Sequence, residues 1–137
     1  MLGSRVSGTM KETADAIVSA IIAKWCAGFA ALDAIALSSL YSKNAFFFGS
    51  NPKLYRGRDG VAGYFNGLPR WRKPSAAFAD VNAAQAGPDL INMAATISFD
   101  LAGERDDLVV KMSWVIVRED GDWKIVNHHA SAQAPLI

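Results

Sequence analysis

The stretch LVVKMSWVIV (Leu108–Val117), followed by REDGDWKIVNHHASA (Arg118–Ala132), decides the fold of this chain. Both parts have the composition of β-strands, and Asp120-Gly121 between them favours a tight hairpin turn. The first part is apolar on both of its alternating faces, so each face of this strand needs to be covered. The stretch therefore predicts an antiparallel hairpin inside a sheet that is packed on both sides.

The chain after Pro74 continues this pattern and lacks helical periodicity. Turn signals at Gly87-Pro88-Asp89, near Gly103 and at Asp120-Gly121 divide it into four long segments. We expect these segments to form a four-strand meander over residues 76–86, 90–101, 106–118 and 122–133.

Helical spacing of apolar residues precedes the sheet. It predicts one helix between Glu12 and Leu32, a second helix capped by Asp33 and running to Tyr41, and a third over Gly57–Asn66. A short strand over Ala45–Phe48 lies between the second and third helices. The fold class that follows is α+β, with a curved antiparallel sheet wrapped around the N-terminal helices.

Composition limits the classes of function. The 137 residues suffice for one domain, which we place at 11–137 after a flexible tail at 1–10. A net charge of +1 favours neither nucleic acid nor a membrane surface as a partner. The single Cys26 fits a reducing compartment, and no signal peptide or membrane span is apparent, so we expect a cytoplasmic protein.

The second face of the strand Leu108–Val117 suggests self-association. It carries Val109, Val115 and Val117, whereas the N-terminal helices can cover only one face of so small a sheet. A homodimer formed through the sheet is the simplest cover.

Two stretches resemble a known superfamily. LSSLYSKNAFFFGSNPKLYRGRDGVAGYF (Leu37–Phe65) and the hairpin tail Arg118–Ala132 are similar to nuclear transport factor 2-like proteins. The most similar subfamilies are the SnoaL-like proteins and the association domain of calcium/calmodulin-dependent protein kinase II. The resemblance implies a cone-shaped cavity between sheet and helices, and dimerisation through the sheet. It leaves the activity open, because this fold serves isomerases, dehydratases, cyclases and oligomerisation modules.

Residue by residue, the resemblance carries over little catalytic machinery. The tyrosine, the aspartate base and the oxyanion-hole acid of ketosteroid isomerase would correspond to Trp25, Gly49 and a position near Ser113. Two cavity arginines of the kinase association domain would correspond to Trp114 and Ala130. The resemblance thus implies a more aromatic and less cationic cavity, suited to an apolar or aromatic ligand.

His128 and His129 are the candidate acid, base or hydrogen-bond donor. Adjacent strand residues point to opposite faces, so at most one of them enters a cavity. A two-residue turn at Asp120-Gly121 would pair Met112 with His129, and a three-residue loop with a bulge would pair it with His128. The sequence leaves both registers open, with His129 as our first choice for the cavity.

Three functions are compatible with these features. The first is a homodimer that binds a small apolar or aromatic ligand, without cofactor or metal. The second is an isomerase or dehydratase that uses the cavity histidine, with Tyr41, Tyr64 or Asn127 orienting the substrate. The third, a pure oligomerisation module, is least favoured because no second domain is attached. The residues that we expect in the ligand site are Trp25, Tyr41, Phe48, Tyr55, Tyr64, Trp71, Trp114, Asn127 and His129.

Overall fold

The computed structural model describes residues 13–101, 108–135 and 137, so the tail predicted at 1–10 lies outside the described residues. Three helices are present, α1 (Ala14–Ala30), α2 (Ala34–Ser38) and α3 (Gly57–Asn66). Thr13 Oγ1 accepts a hydrogen bond from the amide of Ala16 at the start of α1. Asp33 Oδ1 does the same for Ala36 at the start of α2, which confirms the predicted cap.

Six strands form a single sheet, and the first two of them lie between α2 and α3 in the chain. The strands are β1 (Tyr41–Phe48), β2 (Leu54–Arg56), β3 (Ser75–Gly87), β4 (Leu90–Asp100), β5 (Leu108–Glu119) and β6 (Asp122–Ala132). The strand order is β2-β1-β6-β5-β4-β3. The predicted α+β arrangement, with a four-strand meander at the C-terminal end, is confirmed. One pair, β1 with β6, is parallel and departs from the antiparallel pairing of the other strands.

The second helix is shorter than predicted. It ends at Ser38, and Tyr41 is the first residue of β1 instead of the end of the helix. The amide of Ile125 in β6 donates to the carbonyl of Leu40, so pairing with β6 begins at this point. Sheet pairing here prevails over the apolar spacing that suggested a longer helix. The short strand β2 was also not predicted.

The β5–β6 hairpin has a two-residue turn, as the first of the two predicted registers required. Asp120 and Gly121 both have positive φ, 53° and 83°, which is the backbone of a type I′ turn. A bulge at Val126 then shifts the pairing by one residue, so Met112 pairs with Ala130. Both predicted partners of Met112, His129 and His128, were therefore wrong.

The side chains on the two faces of the sheet differ in how far they are buried. On the inner face, Met112, Trp114 and Ile116 of β5 are buried against the helices, which confirms the predicted alternation. On the outer face, Val115 and Val117 are only partly buried, and Phe46 of β1 is 46% exposed. The helices thus pack against the inner face of the sheet, and the core lies between them. Within the described residues, no helix is long and apolar enough to cross a membrane.

Candidate functional site

A cavity of about 640 Å³ lies between the helices and the inner face of the sheet. Helix α1 supplies Trp25 and Phe29 to its wall because these residues are four apart and lie on the same helix face. The two rings are stacked, with centroids 5.5 Å apart. The other aromatic side chains of the lining are Phe47, Tyr64, Phe65, Trp71 and Phe99. The wall is therefore largely aromatic.

The far side of the cavity is aliphatic and comes from the inner face of β5 and β6. Its residues are Leu108, Val110, Met112, Ala130 and Ala132. Among the described residues of the lining there is no Asp, Glu, Lys, Arg or Cys. Such a cavity favours apolar ligands, and selectivity for polar groups on a ligand has to come from the few polar side chains of the lining.

His128 is the main polar group of this lining. It is 2% exposed and its ring stacks on Phe47, with centroids 4.0 Å apart. Its Nδ1 lies 2.8 Å from the hydroxyl of Tyr41 and 3.0 Å from the indole nitrogen of Trp114. Its other ring nitrogen, Nε2, has no hydrogen-bond partner among the described residues.

The Tyr41 hydroxyl extends the chain of hydrogen bonds, because it accepts from the indole N–H of Trp25 at 3.0 Å. All four side chains are buried. Burial disfavours charge on both ionisable members: it lowers the pKa of His128 to about 3 and raises the pKa of Tyr41 well above its usual range. The neighbouring His129 also lowers the pKa of His128, as the smaller cause. His128 is consequently a neutral imidazole at physiological pH.

The sequence as a whole matches one family. The model of the SnoaL-like domain covers residues 18–135, which is most of the chain. The chain belongs to the SnoaL-like domain family. No curated protein matches its sequence.

Solved structures share this fold. The putative calcium/calmodulin-dependent protein kinase II association domain from Xanthomonas campestris is 23% identical, with a TM-score of 0.75 over 88% of this chain and 87% of the other. An NTF2-like protein with a cystatin-like fold from Novosphingobium aromaticivorans is 14% identical, with a TM-score of 0.77 over 88% and 82%. A putative scytalone dehydratase from the same organism is 14% identical, with a TM-score of 0.77 over 88% and 84%. The predicted nuclear transport factor 2-like superfamily is confirmed, and at these identities the likeness extends to the fold alone.

Six of the nine expected site residues lie in the lining of the cavity of this SnoaL-like domain or directly behind it. Trp25, Tyr64 and Trp71 line it directly. Tyr41 and Trp114 do not line it but stand behind His128 as its hydrogen-bond partners. Tyr55 packs against the Tyr64 ring, with centroids 5.2 Å apart, and so supports the wall from outside.

His129, Phe48 and Asn127 lie on the outer face of the sheet, away from the cavity. Phe48 pairs with His129 across β1 and β6, and His129 pairs with Ser113 of β5. The bulge at Val126 determines this outcome, since it turns His128 inward opposite Trp114. Our first choice of His129 as the cavity histidine is thereby replaced by His128.

The residues expected in the ligand site leave out four aromatic residues of the lining, Phe29, Phe47, Phe65 and Phe99. Phe29 could have been found, because it follows Trp25 by four residues on the buried stripe of α1. Phe47 could not, because the run Phe46-Phe47-Phe48 gives no indication of which alternate residues face inward.

The mouth of the cavity is held by hydrogen bonds between the β1–β2 loop and α3. The Tyr64 hydroxyl accepts from the amide of Ser50 and donates to its Oγ, both at 2.9 Å. A Cβ atom at Gly49 would lie 2.5 Å from the Tyr64 ring, so only glycine fits there. The polar groups of Ser50 and Tyr64 are thus occupied with each other.

The loop that carries Trp71 is fixed by its neighbour Arg70. The guanidinium of Arg70 donates to the carbonyl of Phe65 at 2.9 Å and to that of Leu32 at 3.2 Å. The Trp71 ring rests near Phe29, with centroids 6.2 Å apart, and is partly buried at the cavity edge. Trp71 therefore contributes to the wall at the edge of the cavity.

Arg58 holds the start of β1 in place behind the site. Its Nε donates to the carbonyl of Tyr41 at 2.9 Å, and a terminal nitrogen pairs with Glu119 at 2.8 Å. The pKa of Glu119 is lowered, chiefly because Ser42 donates a hydrogen bond to its carboxylate. This network ties α3 to the first residues of β1, where Tyr41 begins the strand.

Proposed function

We propose that this SnoaL-like domain binds a small, mostly apolar molecule in the cavity, with His128 as its polar anchor. The observation that carries the proposal is the Nε2 of the buried His128, which lies at the wall of an apolar cavity and has no hydrogen-bond partner in the part of the chain that the structure describes. A buried polar group left unsatisfied costs about 1–3 kcal/mol, which a ligand that bonds to it would recover.

The size and chemistry of the cavity support the same function. Its volume of about 640 Å³ is within the range of small-molecule sites, and the aromatic walls offer flat apolar surface. The described lining holds no cation that could pair with a carboxylate. A neutral aromatic compound is therefore a better ligand than an anion of similar size.

The proposal can be tested by filling the cavity. Ala130 lines it, whereas Ala20 is exposed on α1, so Ala130→Phe and Ala20→Phe form a matched pair. We expect Ala130→Phe to weaken the binding of fluorene, a neutral three-ring hydrocarbon, at least about tenfold by calorimetric titration, because the new ring occupies the site. Ala20→Phe should bind like the wild type. Equal affinities of wild type and Ala130→Phe would overturn the proposal.

Ligand charge gives a second readout of the same proposal. Fluorene and 9-fluorenecarboxylate share one ring system and differ by a carboxylate. We expect the hydrocarbon to bind more tightly, because the anion would lose its hydration without gaining a cationic partner. Tighter binding of the carboxylate would refute the apolar-ligand class.

Catalysis of the isomerase or dehydratase type is less well supported by the geometry. A general base needs an accessible lone pair and a pKa near the working pH. Nδ1 of His128 already faces two hydrogen-bond donors, and its pKa is about 3. No carboxylate is present in the described lining to act instead. We therefore place ligand binding before catalysis.

We also propose that the domain is a homodimer formed through the outer face of the sheet. Val115 and Val117 are partly buried there, and Phe46 and Phe48 are 46% and 38% exposed. A second sheet would remove these side chains from water. In sedimentation velocity, Val115→Asp should shift the protein towards monomer, whereas Ala20→Asp on α1 should not. A wild type that remains monomeric at micromolar concentration would rule out this assembly.

A further inference from the structure

We infer that Trp114 and Tyr41 fix His128 as the tautomer protonated at Nε2, so that the cavity selects ligands that present a hydrogen-bond acceptor and rejects those that present a donor. The inference rests on the proposed ligand-binding function and adds to it the chemical class of the ligand. Trp114 and Tyr41 act as positioning residues, since neither lines the cavity.

The indole of Trp114 determines the state of Nδ1. An indole nitrogen carries a hydrogen and has no lone pair to offer, so it can only donate. It lies 3.0 Å from Nδ1 of His128, which must therefore be unprotonated and accept. In a neutral imidazole the proton then lies on Nε2.

Trp25 determines the direction of the Tyr41 hydroxyl in the same way. Its indole N–H donates to the Tyr41 oxygen at 3.0 Å, which leaves the hydroxyl proton free to point at His128 Nδ1, 2.8 Å away. Two donors thus converge on Nδ1. Trp25, Tyr41 and Trp114 are each no more than 2% exposed, so water cannot readily replace either donor.

The Nε2–H group is left to the ligand. His128 lines the cavity, and the stacked Phe47 ring holds the imidazole plane in place. The nearby hydroxyls of the lining, on Ser50 and Tyr64, are already hydrogen-bonded to each other. A ligand that turns an N–H or O–H towards His128 would set two donors against each other, and one that turns a carbonyl or ring nitrogen would complete the bond. The favoured class is a neutral, flat, apolar molecule with one acceptor, such as an aromatic ketone or quinone.

Three compounds with the same ring frame test this selectivity. At the bridging position, 9-fluorenone carries an acceptor, fluorene carries neither group, and carbazole carries a donor. We expect fluorenone to bind about tenfold more tightly than fluorene, and carbazole no more tightly than fluorene. In His128→Phe, which keeps a flat ring against Phe47, the preference for fluorenone over fluorene should disappear.

The tautomer can be measured directly in the unmodified protein, which does not depend on a variant folding. The chain has two histidines, so long-range nitrogen–proton correlation spectra of histidine-labelled protein, with His129→Gln for assignment, identify the signals of His128. We expect the Nε2–H form between pH 6 and 8.

The outcomes separate the two proposals. A protonated Nδ1, or carbazole binding as tightly as fluorenone, would overturn the inferred selectivity for hydrogen-bond acceptors while leaving ligand binding intact. If none of the three compounds bound, both the proposed ligand-binding function and the inferred selectivity for hydrogen-bond acceptors would be wrong.

Discussion

His128 and His129 are neighbours in β6 and have opposite surroundings. His128 is 2% exposed, stacks on Phe47 and shares Nδ1 with two buried donors. His129 is exposed on the outer face between Ser113 and Phe48. The difference shows that the side of the sheet, and not the residue type, decides what a histidine can do. On the inner face the ring is a fixed neutral hydrogen-bonding group.

Replacing each histidine with alanine should give the largest difference in stability between the two positions. We expect His128→Ala to lower the free energy of unfolding by about 4 kcal/mol, because it leaves a cavity and deprives two buried donors of their acceptor. His129→Ala should change it by no more than about 0.5 kcal/mol, as is usual at exposed positions. Urea unfolding at one protein concentration measures both. Similar losses for the two variants would contradict this difference in burial.

Lowering the pH should reveal the different burial of His128 and His129 in the protein that keeps both histidines. The pKa of His128 is about 3 in the folded state against 6.5 in the unfolded chain, so the unfolded state takes up the proton first. Stability is then complete above pH 6.5 and falls as the pH decreases towards 3. Between pH 7 and pH 5 this loss should be about 2 kcal/mol.

The control for this pH dependence is a pair of variants. His128→Phe should remove most of the loss between pH 7 and pH 5, and His129→Gln should retain it. Glu119 contributes at lower pH, because its folded pKa lies below 4.5 and its stabilisation is lost as the pH falls from about 4.5 through that lowered value. An unchanged slope in His128→Phe would show that another group causes the acid sensitivity.

The smallest effect should come from single hydroxyls. Tyr41→Phe leaves the Trp25 N–H without its acceptor in the core, at a cost of about 1.5 kcal/mol in unfolding free energy. In Tyr55→Phe the lost hydroxyl is one that accepts from the exposed side chain of Asn51, so the cost should be below about 0.5 kcal/mol. Thermal or urea unfolding of the two variants gives the comparison. Equal costs would mean that the buried chain of hydrogen bonds adds little to stability.

The sequence predicted the parts of the fold that depend on local pattern. Alternation along Leu108–Val117, the Asp120-Gly121 turn and the capping side chain of Asp33 are local signals, and the structure has each of them. It missed the end of α2 at Ser38, which depends on pairing with β6 far along the chain, and it missed the three-residue strand β2, which pairs with the adjacent β1. The start of β1 at Tyr41 is set by β6, more than eighty residues away.

The candidate site divides along the same line. The sequence by itself determined that a single histidine of the pair could enter an aromatic cavity, because neighbouring strand residues face opposite ways. Only the tertiary structure decided that it is His128, since a one-residue bulge at Val126 reverses which residues face inward. It also brought Trp25, Tyr41 and Trp114 to that ring from three separate elements. The physical reason is that side-chain direction follows from local backbone geometry, whereas hydrogen-bond partners distant in sequence are fixed only when the sheet and the helices pack together.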